Sequence, residues 1–135
     1  MFSFHHVALS VRELGPSIAF YEIFGFEPVF RWQSDDGELS IVHLKQGEVL
    51  LELFRFRTPV DAPHTSHELS TDLPRIGMKH FGLKSEDIDI AAAHLMKLGL
   101  VEHIEIVEGR TGIRYFFVKD PSGLMVEVVE DNRKL

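Results

Sequence analysis

Cysteine is absent from all 135 residues, so disulfides and thiolate metal sites are excluded. A reducing cytoplasm is compatible with that absence and is the compartment expected here. Long apolar runs are missing as well. Nothing approaches the ~18 consecutive apolar residues of a membrane span, and no basic stretch followed by an apolar one opens the chain. A membrane partner is therefore not expected. Basic residues are few, with 14 Lys and Arg against 21 Asp and Glu for a net charge of −7. A phosphate backbone calls for the opposite sign, so no nucleic-acid partner is expected either. Proline is sparse, and three of the six fall in the polar stretch Arg57 to Gly77. A hydrophobic fraction of 44% remains, enough for one good core in a chain of this length.

The chain also says the same thing twice. Phe4-His5-His6-Val7-Ala8-Leu9 opens the first half and Met78-Lys79-His80-Phe81-Gly82-Leu83 the second. His6 to Gly25 and His80 to Gly99 are both separated by 19 positions. Each half closes on an apolar run holding one carboxylate: Val49-Leu50-Leu51-Glu52-Leu53-Phe54 and Leu124-Met125-Val126-Glu127-Val128-Val129. Such a repeat sets the reading of everything else. One imidazole and one carboxylate per copy make four metal ligands in all.

The elements follow the repeat. His5 to Val11 alternates as a strand, which puts His5 on the face opposite His6. Gly15-Pro16-Ser17 starts a helix with Leu14, Ile18, Tyr21 and Phe24 on its apolar face, and Gly25 ends it. Strands are expected at Pro28 to Gln33, Leu39 to Leu44 and Val49 to Phe54, with turns at Asp35-Asp36-Gly37 and Gln46-Gly47-Glu48. The second half predicts a strand from His80 to Lys84 and a helix beginning near Asp87 or Asp89, lined by Ile88, Ala91, Leu95 and Leu98 and ended by Gly99. Strands near His103 to Val107, Ile113 to Lys119 and Leu124 to Val129 complete it. The pattern is strand-helix-strand-strand-strand, twice, in modules of about residues 1–56 and 78–130. Residues 57–77 read as a linker of a length at which a structureless loop becomes unusual.

An ionised carboxylate is costly to bury without a partner, yet Glu52 and Glu127 both sit inside apolar strands. One explanation is an outward-facing side chain or a salt bridge to an arginine such as Arg55 or Arg114. The duplicated register favours a divalent cation. Two histidine nitrogens and two carboxylate oxygens suit Ni, Zn or Co, and also Mn or Fe.

These features resemble the vicinal oxygen chelate superfamily (glyoxalase, bleomycin resistance protein, extradiol dioxygenase). The segment Tyr115-Phe116-Phe117-Val118-Lys119-Asp120-Pro121-Ser122-Gly123-Leu124-Met125-Val126-Glu127 is similar to its closing motif: an aromatic strand, Asp-Pro-x-Gly, then a strand with the last ligand. The resemblance spans about Phe4 to Glu130. It implies an α+β fold, with residues 1–135 forming one domain of two tandem βαβββ modules whose mixed sheets curl around a metal-containing cleft. It also implies a homodimer. In ligand type the match is closest to glyoxalase I, whose quartet falls here on His6, Glu52, His80 and Glu127. Extradiol dioxygenases leave the position of Glu52 without a ligand role, epimerases of the superfamily typically have Gln there, and antibiotic-binding members generally lack the ligands.

The implied activity is that of a metal-dependent lyase or isomerase, moving a proton through a metal-stabilised enediolate on a small carbonyl substrate. Glu127 is the first candidate for the base and Glu52 the second. The alternatives are a metal-retaining small-molecule binding or antibiotic-resistance protein, or an epimerase or Fe²⁺ dioxygenase of the same superfamily. Glutathione-using members often carry Arg four residues after the first His and Asn four after the first Glu. Here those positions are Ser10 and Phe56, neither of which grips a carboxylate as a guanidinium does. A more apolar or aromatic ligand is indicated. Phe30, Trp32, Phe54, Phe56 and Phe117 are candidates to line its pocket, although aromatics in short strands are commonly core. Lys84 shares the face of His80. His5, His43, His64, His67, His94 and His103 read as structural or solvated.

Overall fold

The two alternating halves form two four-stranded sheets in the computed structural model, which describes residues 1–135. The chain divides into two compact units, Met1–Ser66 and His67–Leu135. The first holds β1 (His6–Ser10), α1 (Leu14–Ile23), β2 (Glu27–Gln33), β3 (Leu39–Gln46) and β4 (Val49–Phe56). Its sheet order is β1-β4-β3-β2, with β1 parallel to β4 and the other neighbours antiparallel. Parallel neighbours cannot be joined by a tight turn, so α1, β2 and β3 together form the crossover.

Alternation sorts this sheet into two faces. Val42 and Leu44 of β3 and Leu51 and Leu53 of β4 are buried, together with Ile18, Phe20 and Tyr21 of α1 and with Phe26. The helix uses a face slightly rotated from the one its spacing predicts. Ser17 and Phe20 are buried, whereas Leu14 and Phe24 are only half-buried. Phe24 instead lies against the ring of Phe20, 5.1 Å between centroids. Gly25, with φ of +88°, takes the left-handed conformation that ends the helix. Gly47 does similar work between β3 and β4. Its φ of +55° at the first position of a two-residue turn locks the pairing of Gln46 with Val49, and hence of His43 with Glu52.

The second unit contains α2 (Leu69–Asp72), β5 (Phe81–Lys84), α3 (Ile88–Lys97), β6 (Val107–Glu108), β7 (Arg114–Lys119) and β8 (Met125–Glu130). Its sheet order, β5-β8-β7-β6, repeats that of the first. Phe116, Val118, Val126 and Val128 are buried with Ile88, Ala92 and Leu95 of α3. Here too the helix stripe differs from the expected one, because Leu98 is exposed and Ala92 replaces Ala91 in the core. Asp87 caps α3 by accepting a bond from the Ile90 amide at 3.0 Å. In the Asp-Pro-Ser-Gly turn, Asp120 Oδ1 accepts from the amides of Ser122 and Leu124 at 2.8 and 2.9 Å. That turn pairs Lys119 with Met125 and Phe117 with Glu127.

One strand expectation needs correction. The strand predicted near His103 to Val107 shrinks to Val107–Glu108, since only those two residues find ladder partners, Tyr115 and Arg114. A very short strand at a sheet edge leaves few unpaired backbone groups. The stretch from Arg57 to Gly77 is not structureless, for it holds a 3₁₀ turn at His64–His67 as well as α2. Asp72 of α2 is buried and takes charged bonds from Arg75 and Lys79. No helix is long and apolar enough to cross a membrane.

Candidate metal centre

Strand pairing decides which side chains share the face opposite each core. In the first unit Glu52 of β4 lies between Ala8 of β1 and His43 of β3. His6, two residues before Ala8, points the same way. Its Nε2 is 3.8 Å from Glu52 Oε1. The other carboxylate oxygen, Oε2, is 2.6 Å from His43 Nε2. On the far side of the His6 ring, Nδ1 is 3.0 Å from His5 Nδ1. When Nδ1–H of His6 is the donor in that contact, its Nε2 presents a lone pair toward Glu52.

The second unit repeats the pair more sparsely. His80 Nε2 lies 3.3 Å from Glu127 Oε2, and both side chains are mostly buried. Glu127 sits between Gly82 of β5 and Phe117 of β7. The Phe117 ring meets the His80 ring edge-on, 4.8 Å between centroids. Gly82 borders Glu127 Oε2, which would lie 3.5 Å from a Cβ placed there, an ordinary van der Waals contact.

Neither carboxylate is balanced by an arginine. Arg114 is committed to Asp89, Glu108 and Glu130, which raise its pKa through hydrogen bonding and charge. Arg55 is opposite Ser40, out of phase with the Glu52 face. Lys84 is exposed and helps hold the Asp131 carboxyl below the usual carboxylate range, behind the larger effect of the hydrogen bonds from Arg133. The donor set left on each sheet is one imidazole nitrogen and one carboxylate oxygen, the chemistry that suits a divalent cation of the Zn or Ni type. Donors come as pairs, with no group of three or more arranged to hold a cation inside either unit.

Some histidines differ from their sequence reading. His5 alternates away in the strand pattern, yet its ring reaches His6 because it precedes the first residue of β1. His43 has no counterpart in the repeat and was not expected at the site. The turn at Gln46-Gly47-Glu48 contained the signal: a two-residue hairpin there puts residue 43 opposite residue 52. The candidate pocket aromatics also lie outside the core. Phe30, Trp32 and Phe56 are exposed, while the buried aromatics are Phe20, Tyr21, Phe26 and Phe116.

A βαβββ module repeated in tandem, with one His–Glu pair on each sheet, defines a class of α+β architectures. Residues 3–128 match the Glyoxalase/Bleomycin resistance protein/Dioxygenase superfamily, and the chain belongs to that family, the vicinal oxygen chelate superfamily. It is 31% identical over 132 residues to the uncharacterised protein YaeR of Escherichia coli strain K12, covering 93% of this chain and 94% of that protein. A glyoxalase family protein from Enterococcus faecalis has a similar structure, with TM-score 0.77 and 27% identity over 95% of this chain and 97% of the other. So does the lactoylglutathione lyase from Agrobacterium tumefaciens, with TM-score 0.64 and 26% identity over 95% and 92%.

Proposed function

We propose that this protein is a metal-dependent lyase or isomerase of glyoxalase type, transferring a proton between neighbouring carbons of a small carbonyl substrate. The observation that carries the reading is the duplicated imidazole–carboxylate pair, 3.8 Å apart in one unit and 3.3 Å in the other, with no arginine on either carboxylate. His6, Glu52, His80 and Glu127 would hold one divalent ion, the two pairs coming from one chain or from two. When bound, that ion supplies Lewis acidity at the substrate carbonyl.

Glu127 takes the proton and returns it. Its carboxylate is mostly shielded from water, bordered by Gly82 and near Phe117, and His80 is its one ion-pair partner. With Phe117 rather than a hydrogen-bond donor opposite it on β7, this carboxylate is the one that could leave the ion and turn toward a substrate carbon. Glu52, bonded to His43, is the poorer base. Ser10 and Phe56 argue against a glutathione carboxylate, and the exposed Phe30, Trp32 and Phe56 favour an apolar or aromatic group on the substrate. Their strand pairing places all three on the Glu52 face: Phe30 opposite His43, Trp32 opposite Ile41, and Phe56 opposite Leu39. The similarity to a lactoylglutathione lyase supports the reaction type rather than this substrate.

Solvent exchange tests the reading. Protein loaded with Ni²⁺ or Zn²⁺ should incorporate deuterium from D₂O into aromatic α-hydroxy carbonyl compounds, and Glu127→Gln should not. Stoichiometric metal with tight small-molecule binding but no exchange would instead identify a sequestering member of the superfamily.

A further inference from the structure

We infer that His43 is a positioning residue for Glu52, holding it as a fixed, single-oxygen ligand while Glu127 is left free to move. This rests on the metal-centre reading above and goes beyond it in separating the two carboxylates. An ionised carboxylate only accepts hydrogen bonds, so His43 Nε2–H is the donor to Glu52 Oε2. At 2.6 Å the contact has the short length of a charge-assisted bond. The His43 ring is itself steadied by Phe30, 5.3 Å between ring centroids, on the neighbouring strand. With Oε2 engaged, Oε1 is the oxygen left facing His6 Nε2. Two histidines thus divide one carboxylate, and its rotation about the terminal torsion would break the stronger contact.

The second unit lacks this device at the equivalent place. Phe117 stands opposite Glu127 where His43 stands opposite Glu52. A phenyl ring donates no hydrogen bond of comparable strength, so neither Glu127 oxygen is tied down by β7. The repeat has therefore diverged at the position that decides whether its carboxylate is held. Second-layer bonds of this kind orient metal ligands and typically affect metal affinity by 10–100-fold.

Competition with a chromogenic chelator, using Zn²⁺ and Ni²⁺ as probes, tests the assignment in wild type, His43→Ala, His43→Gln and His6→Ala. His43→Ala should weaken affinity by about 10–100-fold. His43→Gln keeps an N–H donor near the Nε2 position and should restore most of the loss. Urea melts of the metal-free proteins should show every variant fully folded under the conditions of the titration, so that a loss of affinity reports on the site and not on unfolding. Unchanged affinity in His43→Ala, or equal losses in the Ala and Gln variants, overturns the inference while metal loss in His6→Ala leaves the centre standing. Full metal retention by His6→Ala removes the centre and the inference together.

Discussion

In the proposed metal centre, Glu127 and His6 are the residues at which substitution separates ligation from chemistry. Glu127→Gln keeps an amide oxygen that coordinates but cannot accept the proton. Turnover should fall by about 10²–10⁴-fold, the usual contribution of a general base, with metal content far less affected. Elemental analysis beside a rate measurement checks the contrast. His6→Ala would remove a proposed ligand outright and should lower metal stoichiometry directly. At Trp32 the expected effect is on binding: its ring is exposed on the Glu52 face, so Trp32→Ala should raise KM for an aromatic substrate with little change in kcat.

Helices and turns carry the stability of each module rather than its chemistry. Asp87 supplies the side-chain cap of α3, whereas Glu13 at the start of α1 makes no such bond. Asp87→Ala should cost about 1 kcal/mol in urea unfolding. After β8, Asp131 is bonded to Arg133, which also reaches the Thr111 carbonyl at 3.1 Å. Hydrogen bonds from Arg133 hold the Asp131 carboxyl well below its ordinary value of 3.8. A depressed carboxylate stabilises the fold fully above its unfolded pKa and stops doing so as pH falls through the folded one. Mild acid should therefore leave the tail docked, and NMR of residues near Thr111 should report its release only in stronger acid.

For the whole molecule, the assembly state remains a proposal carried by resemblance and by one exposed strand. Every residue of β2 is exposed, including Val29, Phe30 and Trp32. An edge of that kind invites covering by another chain. Light scattering at micromolar concentration should give a homodimer, and the mass of a single 15.4 kDa chain would count against it.

The order of elements, the two modules and the duplicated His and Glu were all legible in the chain, because alternation and helical spacing are local properties of sequence. Turn residues carried further than that. Gly47 and the Asp120-Pro121-Ser122-Gly123 turn set the registers that place residue 43 opposite 52 and 117 opposite 127. What the sequence could not decide by itself was which rings those registers bring into contact. His43 had no repeat partner, and His5 alternated to the wrong face, yet both reach the first His–Glu pair. Local spacing also misjudged the helix stripes and the length of β6. A buried face is selected by the sheet it packs on, and a strand lasts only as long as its neighbour offers pairing. Those are tertiary decisions, since each depends on residues distant in the chain. The difference between a held Glu52 and an open Glu127 belongs to the same level, for it comes from the residue across the ladder and not from the strand that carries the glutamate.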